Sequence, residues 1–305
     1  MELGFIGLGQ MGGNMALRLI EQGHELVVTD ISKAAAEPVL EAGAVWAESP
    51  AAVAEQCEIV LSSLPGPPQV EAVALGPNGI IEGISAGSLY VDLSTSSPLT
   101  IRKINEAFQA KGASAMDTPV SGGNTQSRAG TLVVFVGSSE ESLERVRPVL
   151  TDLAKEIIHI GDVGAGCIAK IANNAVGLTT LGLLAEVLSL GVKAGIDHQT
   201  LLKVLQGGAY GQGLFLTFML PQVAFKHRYD PAGFALDLGR KDVSLATSLG
   251  RELNVPLPII NLVEQSAVEM VQRGHGKHDS TIIFSLQELR AGVKLHDDDA
   301  REIQL

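Results

Sequence analysis

Gly7-Leu8-Gly9-Gln10-Met11-Gly12, set between the apolar run Leu3-Gly-Phe5-Ile6 and a stretch of helical periodicity from Gly13 to Gln22, decides the fold of the first half of the chain. A short apolar strand that breaks on glycine and restarts as a helix is the opening turn of a dinucleotide-binding unit. The first glycine makes the tight turn. The second lets a pyrophosphate come close to the backbone, and the third lets helix and strand pack. Unpaired N–H groups at the helix start are suited to phosphate. A second strand, Glu25–Asp30, places an acid 18 residues after Gly12, where a carboxylate accepts hydrogen bonds from both ribose hydroxyls.

Asp30 repels a 2′-phosphate, and Ile31-Ser32 offers no arginine to receive one. Lys33 reads as a solvated helix residue. The pattern therefore predicts NAD rather than NADP as cofactor.

Working outward, short apolar runs alternate with amphipathic stretches as far as residue 163. Further strands are predicted at Glu58–Leu64, Ser88–Leu93, Ala115–Thr118, Leu132–Gly137 and Glu156–Ile160, with a helix beginning near Glu140. Runs this short, rich in Val and Ile, read as parallel strands buried on both faces, hence a doubly wound α/β domain over 1–163. After Gly161-Asp-Val-Gly164 the periodicity is helical only. Helices are predicted at about Cys167–Ala194, Thr200–Gln206, Gly213–Phe225, Leu236–Leu253, Pro258–Arg273 and Ser280–Gly292, giving an all-α domain over 164–292. The charged tail, 293–305, with Asp at 297–299, is expected to fray.

Composition agrees with two domains: 305 residues, 46% hydrophobic and 18% charged. That balance excludes global disorder. A net charge of −12 gives no overall field for nucleic acid or an anionic membrane. Two cysteines, Cys57 and Cys167, make no disulfide framework and point to a reduced, cytoplasmic setting. Met1-Glu2 runs straight into a strand, so no signal peptide is expected. Ala175–Ala185 stops at Glu186, and Val204–Phe225 is broken by glutamines, glycines and Pro221, so no membrane span is expected.

Read with Gly7–Gly12, the segments Asp117-Thr-Pro-Val-Ser121-Gly122-Gly123 and Gly161-Asp-Val-Gly-Ala-Gly-Cys-Ile-Ala-Lys170-Ile-Ala-Asn173-Asn174 resemble the β-hydroxyacid dehydrogenases. That group includes 3-hydroxyisobutyrate dehydrogenase and tartronate semialdehyde reductase. Leu64-Pro65 and Lys241-Asp242 match in order and spacing, and the resemblance runs over about residues 1–290. It implies a Rossmann domain, a long interdomain helix and an all-helical C-terminal domain that builds a homodimer or homotetramer. It also implies oxidation of a small 3-hydroxy acid, or reduction of the matching semialdehyde. Under it, Leu64, Pro65, Gln69, Thr95 and Lys241 hold cofactor. Ser121, Gly122 and Gly123 take the substrate carboxylate, Asn174 binds substrate, and Lys170 is the catalytic acid/base. Two departures stand out. Gln69 replaces a frequent Asn, and Asn124-Thr-Gln-Ser127 replaces a smaller, more apolar stretch directly after the carboxylate loop, which leaves the identity of the acid open.

The residues themselves are consistent with that chemistry. Removing hydride from an alcohol carbon requires an acceptor for the hydroxyl proton, and no metal set is evident. Lys170, Asn173 and Asn174, spaced i, i+3 and i+4, share a helix face. A lysine flanked by Ile and Ala is conspicuous, and burial would lower its pKa toward that of a working base. Spacing alone leaves open a plain helix charge for Lys170, an ordinary turn for Ser121-Gly-Gly123 and a surface cation for Lys241. His275-Gly-Lys-His278-Asp279 reads as a polar loop, not a zinc site. Cys167 reads as a small buried residue, and Val176, Leu183, Val187 and Leu190 as core or dimer interface. Three other readings compete. An imine reductase of the same fold usually lacks the lysine, and 6-phosphogluconate dehydrogenase is longer with a basic phosphate site. A non-catalytic nucleotide-binding or reader module carries an added region.

Overall fold

The computed structural model describes residues 1–303. The chain folds as two compact units, Met1–Val176 and the remainder from Gly177 on. The first is built on a nine-stranded sheet: β1 (Glu2–Ile6), β2 (Glu25–Thr29), β3 (Val45–Trp46), β4 (Ile59–Ser62), β5 (Leu89–Asp92), β6 (Ser114–Asp117), β7 (Val120–Ser121), β8 (Leu132–Gly137) and β9 (Ala154–Gly161). The order is β3-β2-β1-β4-β5-β6-β8-β7, with β9 also paired to β8.

Around the sheet run α1 (Gln10–Glu21), α2 (Lys33–Glu41), α3 (Pro50–Ala54), α4 (Pro67–Leu75), α5 (Ile80–Gly83), α6 (Pro98–Gln109), α7 (Asn124–Ala129) and α8 (Glu140–Leu153). Alternation along the strands sends side chains to opposite faces. Leu3, Phe5, Val28, Leu61 and Val91 face one way and pack with Met15 and Leu19 of α1 and Val146 and Leu150 of α8. Ile6, Val27, Val60 and Tyr90 face the other way and pack with Val70 of α4 and Ile101, Ile104 and Phe108 of α6. Two apolar layers on one sheet make the doubly wound architecture.

The expected run of parallel strands holds from β3 through β6. It fails at β8, which is antiparallel to β6 and β7 and parallel to β9. Only the two-residue β7 and the six-residue α7 separate β6 from β8. A parallel return needs a crossover long enough to carry the chain back along a whole strand. β3 and β7 were not predicted, and α1 begins at Gln10, ahead of the predicted Gly13.

α9 (Ala165–Lys193) begins where the sheet ends, and the division between the units falls within it. The stop at Glu186 predicts no spanning segment. As a continuous 29-residue helix, however, α9 is long and apolar enough to cross a membrane by length and composition. Its acid is engaged in the fold: the Glu186 carboxylate accepts from the Ile259 and Ile260 amides at 2.9 and 3.2 Å.

The second unit contains α10 (His198–Gly207), a π-helical stretch Phe215–Ala224, α11 (Leu236–Leu253), α12 (Pro258–Met270) and α13 (Ile283–Ala291). Asp197 caps α10 by accepting from the Gln199 and Thr200 amides. Leu183, Val187 and Leu190 of the α9 stripe pack with Leu257 and Ile260, whereas Val176 is exposed. The tail expected to fray is tied down as far as Ile303. Lys226 pairs with Asp297 at 2.6 Å, the Leu295 amide donates to Glu288, and Ile303 packs against the Tyr229–Leu286 cluster. The acidic run at 297–299 thus has a cation to meet. Residues 304–305 lie outside the described residues.

Candidate active site

Gly7 sits at φ +89°, and a Cβ there would strike the Ser63 carbonyl. A Cβ on Gly12 would run into the Gly7 carbonyl oxygen. Both positions therefore require glycine for the protein's own packing. Gly9 is different. A Cβ there would meet nothing within 4 Å, so its bareness serves whatever approaches from outside. No side chain caps α1, and no acid stands in its first turn. Its leading N–H groups are left for an anion. These features fit a dinucleotide pyrophosphate.

Asp30 closes this loop. Its Oδ2 accepts from the Leu8 amide at 2.6 Å and its Oδ1 from the Ser32 amide at 2.7 Å. Each carboxylate oxygen has a second lone pair, so the acid shapes the glycine turn and still faces the cleft. Ile31 beside it is fully exposed.

The loops after β4 and β5 are cross-linked by a buried network. Asp92 Oδ1 accepts from Ser62 Oγ at 3.0 Å and from the Ser94 amide at 3.1 Å. Ser94 Oγ in turn accepts from the Leu64 amide at 2.8 Å. Ser62 also pairs with Tyr90 Oη at 2.7 Å. The network fixes Leu64 and Ser94, each on its own loop. Asp92 is fully buried, its Oδ2 has no partner, and burial pushes its pKa up to about 6.

Asp117, paired in register with Asp92, holds the start of α9. Its two oxygens accept from the Gly164 and Cys167 amides, each at 2.6 Å. A carboxylate at a helix N-terminus meets both the orphan amides and the positive end of the dipole. Burial raises the Asp117 pKa against the pull of those donors. The Cys167 thiol is driven up by burial and by the two neighbouring acids, so it is a thiol and not a thiolate. One turn further along α9 stands Lys170, 8% exposed, its pKa lowered by burial.

The glycine turn, Asp30, the loops after β4 and β5 and Lys170 line one cleft of about 860 Å³ within the first unit. Gly7, Gly9, Gln10, Met11, Gly12, Asp30, Leu64, Pro65, Gln69, Thr95, Gly122 and Lys170 are in its wall. Leu8 is not, being buried and acting through its amide. Ser121 and Gly123 are not in the wall either. Ser121 belongs to β7, and the Gly123 amide donates to Gln126 Oε1 at 3.0 Å, so that donor of the expected nest is already taken. Asn174 is exposed outside the wall, accepting from Asn173 Nδ2 at 3.4 Å. Lys241 lies on α11 in the second unit, exposed and paired with Asp242 at 3.0 Å. Residues not singled out in the sequence also line the cleft, among them Glu48, Ser63 and Ser94. Asp92 and Asp117 carried a usable signal, since each ends an apolar strand as Asp30 does.

Two family descriptions match the chain: the NAD binding domain of 6-phosphogluconate dehydrogenase over residues 2–161, and NAD-binding of NADP-dependent 3-hydroxyisobutyrate dehydrogenase over residues 164–286. The chain is 36% identical to 2-(hydroxymethyl)glutarate dehydrogenase of Eubacterium barkeri, covering 97% of each chain. It is also 36% identical to 3-hydroxyisobutyrate dehydrogenase of Pseudomonas aeruginosa, over 95% of this chain and 99% of that one. Among solved structures it resembles Mycobacterium tuberculosis 3-hydroxyisobutyrate dehydrogenase with L-serine: 28% identity, TM-score 0.66, over 94% of this chain and 99% of that one.

Proposed function

The chain belongs to the β-hydroxyacid dehydrogenase family, NAD(P)-dependent oxidoreductases acting on CH–OH groups, and from that premise we propose that it oxidises a 3-hydroxy acid to its semialdehyde, or runs the reverse, with Lys170 as general base or acid. The observation that carries the reading is the placement of a buried lysine, its ammonium form disfavoured by burial, in the wall of the cleft that also holds the glycine turn. The two curated relatives are named for acids bearing a hydroxymethyl group next to the carboxyl-bearing carbon, and the same substrate class is proposed here.

Gly9, Gln10, Met11 and Gly12 would hold the pyrophosphate, Asp30 the ribose hydroxyls, and Leu64, Pro65, Gln69 and Thr95 the remainder of the cofactor. The chemistry a bound oxidised nicotinamide would supply is acceptance of the hydride from the alcohol carbon. Lys170 Nζ, neutral before the step, accepts the hydroxyl proton and passes it to solvent. In reduction the ammonium form returns a proton to the aldehyde oxygen. Gly122, in the cleft wall, receives the carboxylate. Ser121, Gly123 and Asn174, which the resemblance adds to the substrate site, stand outside that wall, with the Gly123 amide held by Gln126. Asp30 favours NAD, because a 2′-phosphate would meet its charge and no arginine stands beside it.

The test is an NAD- and NADP-reduction screen over 3-hydroxyisobutyrate, glycerate, serine, threonate, 4-hydroxybutyrate and hydroxysulfonates. One 3-hydroxy acid turned over well above the 4-hydroxy acid is the expected result. Turnover of none of the 3-hydroxy acids with either cofactor overturns the reading.

A further inference from the structure

His227, Glu288 and His296 come from three separated points of the second unit: the turn after the π-helical stretch, α13 and the tail. One ligand atom from each lies within 4.8 Å of the others, and the first two residues are buried. We propose that these three side chains form a binding site for a divalent transition-metal ion of the zinc class, which pins the tail to α13.

Proton bookkeeping is the first support. His227 Nδ1 is 2.9 Å from the Arg301 carbonyl oxygen. A carbonyl only accepts, so Nδ1 carries the ring proton. In the neutral ring, Nε2 then presents a lone pair to Glu288 Oε2 at 3.3 Å. Two buried acceptors facing each other require a cation between them, either a second proton or a metal ion. Ligand atoms on a tetrahedral zinc stand about 3.4 Å apart at bond lengths near 2.0–2.1 Å, which matches that gap.

The outer hydrogen bonds are the second support. Ligating histidines hand their other ring nitrogen to a carbonyl or carboxylate, and ligating carboxylates are themselves held. Here Arg301 orients His227. The Leu295 amide holds Glu288 Oε1 at 2.6 Å and leaves Oε2 to the ion. His296 Nδ1 now lies 2.6 Å from Glu288 Oε1. As a ligand it would exchange that hydrogen bond for the metal. His296 is only half-buried and sits on the tail, so its ring gives the ion a way in. Two imidazoles and one carboxylate suit zinc, cobalt or nickel with water in the fourth position. Calcium and magnesium prefer all-oxygen sets.

The experiment uses the full-length chain, freed of metal by a chelator and then titrated with zinc sulfate in a calorimeter. One zinc per chain is expected, with a rise in Tm on saturation and protection of the tail from limited proteolysis. His296→Ala and His227→Gln should each weaken binding at least about tenfold, while dehydrogenase turnover in His296→Ala stays at the wild-type value. If Glu288→Gln does not fold, His296→Ala still decides, because its side chain is on the surface tail. The other close imidazole pair, His275 and His278, with Nδ1 atoms 3.1 Å apart, is the control: His278→Ala should bind zinc as the wild type does. No saturable binding, unchanged affinity in His296→Ala, or loss of binding in His278→Ala overturns the proposal. A Tm lowered by His296→Ala but indifferent to zinc also overturns it, since that marks a protonated histidine–carboxylate latch.

Discussion

Under the proposed function, the charge state of Lys170 decides the direction of proton flow. Burial disfavours the ammonium form, so the neutral amine is reached at a lower pH than for a free lysine. The oxidation rate should therefore rise with pH through the Lys170 titration. In Lys170→Ala, kcat should fall by about 10²–10⁴ with NADH affinity nearly unchanged. Lys170→Arg should rescue little, because a guanidinium keeps its proton. Wild-type kcat and an unaltered pH profile in the alanine variant would make the residue structural. At Asp30 the expectation is a preference for NAD of at least about tenfold in kcat/KM, or 1.4 kcal/mol. Asp30→Asn with Ile31→Arg should move that preference toward NADP. It should also lower turnover with NAD, because Asp30 holds the Leu8 amide; equal rates with both cofactors in the wild type would refute the argument. Gly7 and Asp30 were legible as cleft residues because a strand–turn–helix unit demands those residue types at those spacings, whereas Lys170 was picked out through the family resemblance, its spacing alone leaving a plain helix charge open. Ser94 and Gln126 were not. Their roles arise from partners, the Leu64 and Gly123 amides, that only the folded loops identify.

Among the elements, what positions the cleft is a row of acids at the carboxyl ends of neighbouring strands. Asp92 braces the loops after β4 and β5, and Asp117 holds the start of α9 and so the helix that presents Lys170. This arrangement has a measurable cost. The Asp92 pKa is raised by burial from the ordinary 3.8 to about 6. The folded state therefore binds a proton that the unfolded state has already released. Stability contributed by this group is present below about pH 4 and is lost as pH rises toward 6. Asp117 shifts the same way and adds to the slope. Asp92→Asn cannot titrate, so the difference in unfolding free energy between variant and wild type should move in the variant's favour by about 1–3 kcal/mol across that window. Urea melts at several pH values would show it, and parallel curves would exclude Asp92 as the titrating group. Runs such as Ile59–Ser62 and Leu89–Asp92 were readable as strands because both faces are buried. The reversed direction of β8 was not, since the apolar pattern of a strand is the same whichever way it runs. β3 and β7, two residues each, are too short to show any periodicity.

At the scale of the whole molecule, α9 shows two kinds of apolar surface. Leu183, Val187 and Leu190 are packed inside the second unit with Leu257 and Ile260. Leu178 and Leu181 point outward at 74% and 64% exposure, and Leu216 and Phe218 of the π-helical stretch are exposed as well. Scattered single leucines on a surface need no explanation, but several large apolar side chains left bare in one helical unit are the kind of surface that another chain covers. A second copy is the simplest cover, because a two-fold interface uses the same patch on both sides. We therefore expect a dimer or a larger even-numbered assembly, and sedimentation at micromolar concentration should show no predominant species of 31.9 kDa. Leu178→Glu combined with Leu181→Glu would put charges on the outward side of α9 while leaving Leu183, Val187 and Leu190 untouched. The helical content should be unchanged and the mass should fall to that of a single chain. If the double variant sediments as the wild type does, these leucines are not in the interface. A wild type that is monomeric throughout would remove the interface altogether.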